Sequence, residues 1–132
     1  MLPRRASDLI FATLLLGTTT GCWFVVGAAG GAAGAVYVMG QLKDRLDAPV
    51  ARVHDATVVT LKEMGLPIKE DKVDKLSAHV ESEFADGQHV WITIEADGDE
   101  HSKITIRVGM TGDEPKSRAV LDALKAHLKS TQ

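Results

Sequence analysis

The side chain best placed for covalent chemistry in this 132-residue sequence is its single cysteine, Cys22, which directly follows Gly21 and the run Thr18, Thr19, Thr20. Upstream stand Arg4 and Arg5, then an apolar block over residues 9–17, LIFATLLLG. A short basic start, an apolar block of that length and small residues where a peptidase must fit the backbone together make a secretion signal. A small residue followed by cysteine at its end is the pattern of a bacterial lipobox, in which the thiol receives a diacylglycerol and becomes the first residue of the mature chain. Thr19 occupies the position where that pattern usually carries an aliphatic residue, and Asp8 sits at the edge of the block. Each buried methylene contributes roughly 0.8 kcal/mol, so one acyl chain binds a membrane marginally and two or more, palmitate among them, hold firmly. Membrane lipid, through acylated Cys22, is therefore the first expected partner.

A second group with chemical capacity is His79, Glu81, Glu83 and His89, since imidazole and carboxylate are zinc ligands. Alternation places all four on one strand face, and a Glu83–His89 pair already accounts for two of them. A solvated face is the favoured reading, and no metal is assigned. Serine, histidine and aspartate occur without nucleophile spacing, and the Gly30-Gly31 region meets no basic residue until Lys43, so no phosphate-binding loop is built there. The sequence assigns no catalytic residue, no cofactor and no enzyme activity. Trp91 and Arg107 are the residue types that dominate interface energies, and they are the expected contacts for a protein partner.

Charge narrows the partners further. The formal net charge is −3, from 15 basic and 18 acidic residues, and losing Arg4, Arg5 and Asp8 with a signal peptide makes the remainder slightly more acidic. Phosphate contacts need clustered lysine and arginine, and no such cluster exists, so nucleic acid is not an expected partner. One cysteine permits no internal disulfide.

These side chains must be positioned by a chain that divides into three parts: a lipoprotein signal peptide at 1–21, a Gly/Ala-rich tether or membrane-proximal segment at 22–40, and a small domain at 41–132. Residues 9–41 carry no charge at all, a longer stretch than the roughly 20 residues of one membrane span. Within it Gly27 and Gly31, and Gly30 and Gly34, lie four apart, the small-xxx-small spacing that lets helices approach closely in lipid. An alternative reading is thus an integral membrane protein with a self-associating glycine-rich helix at 23–40.

In the domain, Val36, Val38, Leu42 and Leu46 share one parity and suggest a strand. Asp47 is placed to cap a helix and Pro49 to occupy its first turn. Val50, Val53, Thr57, Leu61 and Met64 fall on one helical face, with Arg52, His54, Asp55, Lys62 and Glu63 elsewhere, and Gly65 ends the helix. Residues 69–75, KEDKVDK, read as a solvated connection, with a short strand around Ile68.

Three alternating segments follow: Ala78, Val80, Phe84; Val90, Ile92, Ile94, Ala96; and Ile104, Ile106, Val108. All are even-numbered. If they share a buried face, opposed residues must sum to an even number, which requires the three-residue loop Ala85-Asp86-Gly87 and then a loop of residues 97–101. Val80 then opposes Ile92, Ala78 opposes Ile94, and Ile94, Ile92 and Val90 oppose Ile104, Ile106 and Val108. The odd face pairs Glu95 with Lys103, Thr93 with Thr105, Trp91 with Arg107 and Glu83 with His89, and a cation–π contact is expected between Trp91 and Arg107. A last helix starts with Asp113 and Glu114 in its first turn, has Lys125, His127 and Lys129 in its last, and buries Val120, Leu121, Leu124 and Leu128. The expected class is α+β: an antiparallel sheet of four to five strands with two helices packed on one face, preceded by the signal or membrane segment.

The order and spacing of several groups carry a resemblance: Cys22 with its signal, the Gly/Ala tract, Tyr37-Val38 with Gly40 and Leu42, Asp47-Ala48-Pro49 with Val53 and Ala56, Gly65-Leu66, Asp74 with Ser77-Ala78, Ala85-Asp86-Gly87 with Val90, and Arg107-Val108-Gly109 leading to Gly112-Asp113. With these the chain resembles a family of small, uncharacterised bacterial lipoproteins grouped only as a domain of unknown function. The resemblance implies a lipid-anchored protein of the bacterial cell envelope, a non-catalytic interaction or structural module on the periplasmic side. Trp23, standing where an aspartate would favour retention at the inner membrane, points to the outer one.

Overall fold

Even-numbered apolar residues on four neighbouring strands build one continuous face. Leu42, Ala78, Val80, Val90, Ile92, Ile94, Ile104, Ile106 and Val108 are all almost wholly buried. Fully burying one aliphatic side chain of this kind is worth about 1.5–3 kcal/mol, so this face fixes the strand registers. A computed structural model describes residues 34–131; the signal peptide, Cys22, Gly27, Gly30 and Gly31 lie outside them. The described elements are β1 (Val36–Val38), β2 (Gln41–Leu46), α1 (Val50–Glu63), β3 (Ile68–Val73), β4 (Ser77–Glu83), β5 (His89–Ala96), β6 (Ser102–Val108) and α2 (Glu114–Ser130). The strands form one six-stranded sheet in the order β1-β2-β6-β5-β4-β3, antiparallel at every pairing. The class is α+β as expected, with six strands rather than four or five.

The extra strands arise at the two edges. Residues 36–46 make a hairpin instead of a single strand: Met39 and Gly40 both take positive φ, 53° and 79°, as a two-residue turn between twisted strands requires. A two-residue turn reverses parity, so Val36 pairs with Lys43 and Val38 with Gln41. Tyr37 therefore joins Leu42 on the helix side, while Val36 and Val38, expected in the core, are exposed. Of the segment read as a possible helix at 23–40, residues 36–40 belong to this hairpin, and residues 23–33 lie outside the described residues. The compact unit begins at Ala35.

At the other edge the charged segment is mostly β3, not a connection. Its register against β4 shifts between Ile68 and Glu70, which turns Ile68 and Asp71 toward the helices and Glu70 and Lys72 to the opposite face. Lysine and acidic residues along an edge discourage pairing with another chain. The central registers are those read from the sequence, from Glu83–His89 through Val90–Val108, and Gly87 (φ 88°) closes the β4–β5 loop.

Both helices lie on the even face. Helix α1 buries Val50, Val53, Ala56, Thr57, Thr60 and Leu61. Its N-cap is Pro49, and Asp47 provides no cap, because Ser102 Oγ donates to the Ala48 carbonyl at 2.7 Å and pins the chain to β6 one residue before the turn begins. Asp47 instead faces solvent near His101 Nε2, at 3.3 Å. At the other end Leu66 N–H donates to Leu61 O and Gly65 N–H to Lys62 O, with Gly65 at φ 72°, a Schellman ending sealed by two buried leucines. In α2, Asp113 is the cap itself, accepting from Lys116 N–H, and Val120, Leu121, Leu124 and Leu128 are buried. Among the described residues no helix is long and apolar enough to cross a membrane.

Candidate functional site

With both helices on one face, the odd-numbered residues of the central strands form the open face of the sheet. Alternation along β5 and β6 sets Trp91 directly opposite Arg107 and Thr93 opposite Thr105. The expected cation–π contact between Trp91 and Arg107 is not made. The Arg107 guanidinium donates instead to the Met110 carbonyl, which the turn after Gly109 (φ 72°) brings back over the strand end. Trp91 lies beside His89, ring centroids 4.9 Å apart and tilted by 37°. Arg107 Nε is buried and has no hydrogen-bond partner among the described residues.

Around this pair runs a concavity of about 330 Å³ lined by Gln41, Trp91, Thr93, Thr105, Arg107 and Met110. Met110 is 78% exposed and so forms a projecting wall. A small apolar-walled hollow with a few convergent polar groups is the usual form of a ligand site. Trp91 and Arg107, the residues expected to meet a protein partner, both line the hollow. Gln41, Thr93 and Thr105 follow from strand parity once β2 is placed beside β6, whereas Met110 sits in a loop between Gly109 and Gly112 that no periodicity describes.

The histidine–glutamate group lies on β4 and β5 next to this hollow. His79 Nε2 is 3.0 Å from Glu81 Oε1, His89 Nε2 is 3.4 Å from Glu81 Oε2, and His89 Nδ1 is 3.7 Å from Glu83 Oε2. The other ring nitrogen of His79 is 3.2 Å from Thr93 Oγ1. The hydrogen bond from His79, with a further one from His89, holds the Glu81 carboxyl below the ordinary glutamate range. The imidazoles thus serve a carboxylate already present, and among the described residues no group of three or more His, Cys, Asp or Glu is arranged to hold a metal ion.

One end of the open face is bounded by three loops. Lys116 bonds Asp86 and Gln88 and lies 4.9 Å from the Phe84 ring centroid. That lysine keeps the Asp86 carboxyl below the usual aspartate range, helped by the backbone of Gln88. Gly112 packs so tightly on the β1–β2 turn that a Cβ there would meet Gly40 Cα and the Tyr37 hydroxyl, each at 2.4 Å. Residues far apart in sequence, Tyr37, Gly40 and Gly112, thus fix the β1–β2 turn against the loop after β6 that carries Met110. The lipidation candidate, Cys22, lies outside the described residues.

A family profile described as protein of unknown function, DUF3568, matches residues 7–127. No curated protein matches the chain.

Proposed function

The chain belongs to the DUF3568 family of proteins of unknown function, and from that premise we propose that it is a lipid-anchored module of the bacterial cell envelope, binding rather than catalysing. The observation that carries this reading is the charge-free stretch over residues 9–41 with Cys22, its one cysteine, directly after Gly21. Arg4 and Arg5 begin the signal, a peptidase cuts before Cys22, and acyl chains on that residue fasten the chain to the periplasmic side of the outer or inner membrane. The folded unit starts at Ala35, so residues 22–34 separate the anchor from the sheet.

The contact surface is the open face. Interfaces are enriched in tryptophan, methionine and arginine relative to other protein surface, and Trp91, Met110 and Arg107 meet at one hollow. Growth with a clickable fatty acid, comparing the native chain with Cys22→Ala, tests the anchor. Incorporation in the native chain and none in the variant is expected; equal incorporation in both overturns the reading.

A further inference from the structure

Charge divides the open face. On β3, β4 and β5 three of its carboxylates are already engaged, Glu70 with Lys72, Glu81 with His79 and His89, and Glu83 with His89, while Glu95 stands across from Lys103 in the β5–β6 register. On β2 and β6, Arg45 and Lys103 share Asp97, while Lys43 and Arg107 pair with no carboxylate among the described residues. Lys43 stands beside Thr105 in the β2–β6 register, at the border of the hollow that Arg107 lines. A mildly acidic protein thus carries Arg107 in the hollow and Lys43 at a strand position next to it, neither paired with a carboxylate among the described residues.

Arg107 is also incompletely bonded. Among the described residues only its link to the neutral Met110 carbonyl is made, and its buried Nε–H has no acceptor. Leaving a buried donor unmet is unfavourable, and a guanidinium fork is shaped for two parallel bonds to a carboxylate, each stronger than a bond to a neutral oxygen. The present acceptor belongs to an exposed loop residue, so an anion can displace it without disturbing the core. Beside the guanidinium, Trp91 and Met110 supply apolar walls.

We propose that this hollow binds an organic carboxylate bearing an apolar body, its carboxylate held by Arg107 and Lys43 and its body lodged between Trp91 and Met110. The inference rests on the open face being the contact surface, and it is independent of acylation at Cys22. The volume, about 330 Å³, sits at the small end of ligand sites and suits a compact aromatic or short aliphatic acid.

The test uses the full chain carrying Trp23→Phe, which leaves Trp91 as the only tryptophan, titrated with 3-phenylpropionate, with its amide and with acetate while Trp91 emission is followed. Saturable binding of the acid is expected, at least about tenfold tighter than the amide or acetate. Arg107→Gln weakens it by about tenfold or more and Lys43→Gln by about threefold, with unchanged thermal unfolding showing that each variant is folded. No saturable binding, an amide or acetate bound as well as the acid, or an unaltered affinity in folded Arg107→Gln overturns the proposal. Fatty-acid labelling of the same chain reports the anchor separately, so failure of one leaves the other standing.

Discussion

Trp91 and Arg107 face each other across β5 and β6, yet the arginine turns away from the indole and bonds the Met110 carbonyl. Arg107 therefore contributes one hydrogen bond to the fold and leaves Nε unmet, two effects of opposite sign and about 1–3 kcal/mol each at most. Arg107→Ala is expected to change unfolding free energy by less than about 1 kcal/mol in urea titration, whereas Ile92→Ala, on the opposite face of β5 and fully buried, costs about 2–5 kcal/mol. A loss above about 2 kcal/mol for Arg107→Ala would assign the residue to stability instead of binding.

Asp44 interrupts the apolar face of β2. Its side chain is only 2% exposed, and Lys125 of α2 reaches its Oδ2 as an ion pair whose geometry falls outside that of a hydrogen bond. Removing one partner leaves a buried charge, but Lys125 is 35% exposed, so water offsets part of the cost. Lys125→Met is expected to destabilise by about 1–3 kcal/mol. The double variant Asp44→Leu/Lys125→Met recovers most of that loss, because an apolar pair of similar size suits this layer. Chemical denaturation of the single and double variants checks both numbers.

Gly65 and Gly112 both hold positive φ, 72° and 89°, but only Gly112 lies against other backbone. Gly65→Ala meets nothing within 4 Å and should cost about 1–2 kcal/mol for the left-handed conformation alone. Gly112→Ala adds a collision with Gly40 and Tyr37 and should cost at least about 2 kcal/mol more. Comparing their thermal unfolding tests whether the β1–β2 turn is clamped by the loop after β6. Equal losses would show that it is not.

Glu81 carries the pH prediction. Its folded carboxyl is held below the ordinary glutamate range, first by the hydrogen bond with His79. A depressed folded pKa contributes stability that is complete above the unfolded value and fades as pH falls through the folded one. In side-chain carboxyl NMR, His79→Asn should move the Glu81 titration upward, and the native chain should lose its stability advantage over His79→Asn in that acidic window. An unmoved Glu81 would mean that His79 does not hold it.

Much of the fold was legible because one constraint recurs. A strict even parity in β4, β5 and β6, together with a three-residue loop ending at Gly87, leaves a single register that buries every even valine and isoleucine of these strands. Parity failed at the hairpin of β1 and β2, where Met39 adopts positive φ despite its side chain and no Asn-Gly or Gly-Gly pair announced the turn. The edge strand β3 was hidden by its charges, which solvent tolerates there. Trp91 and Arg107 could be placed opposite one another from the pattern alone. The direction each side chain takes depends on the Gly109-Met110 turn and on His89, tertiary contacts that spacing does not encode.

Processing and acylation at Cys22 are both read from the intact mass of the protein recovered from membranes of cells producing the full sequence. A chain that begins at Cys22 and carries the added mass of a diacylglycerol, with or without a further acyl group on its amine, is expected. A full-length polypeptide without acyl mass, or a chain cut elsewhere, would contradict it.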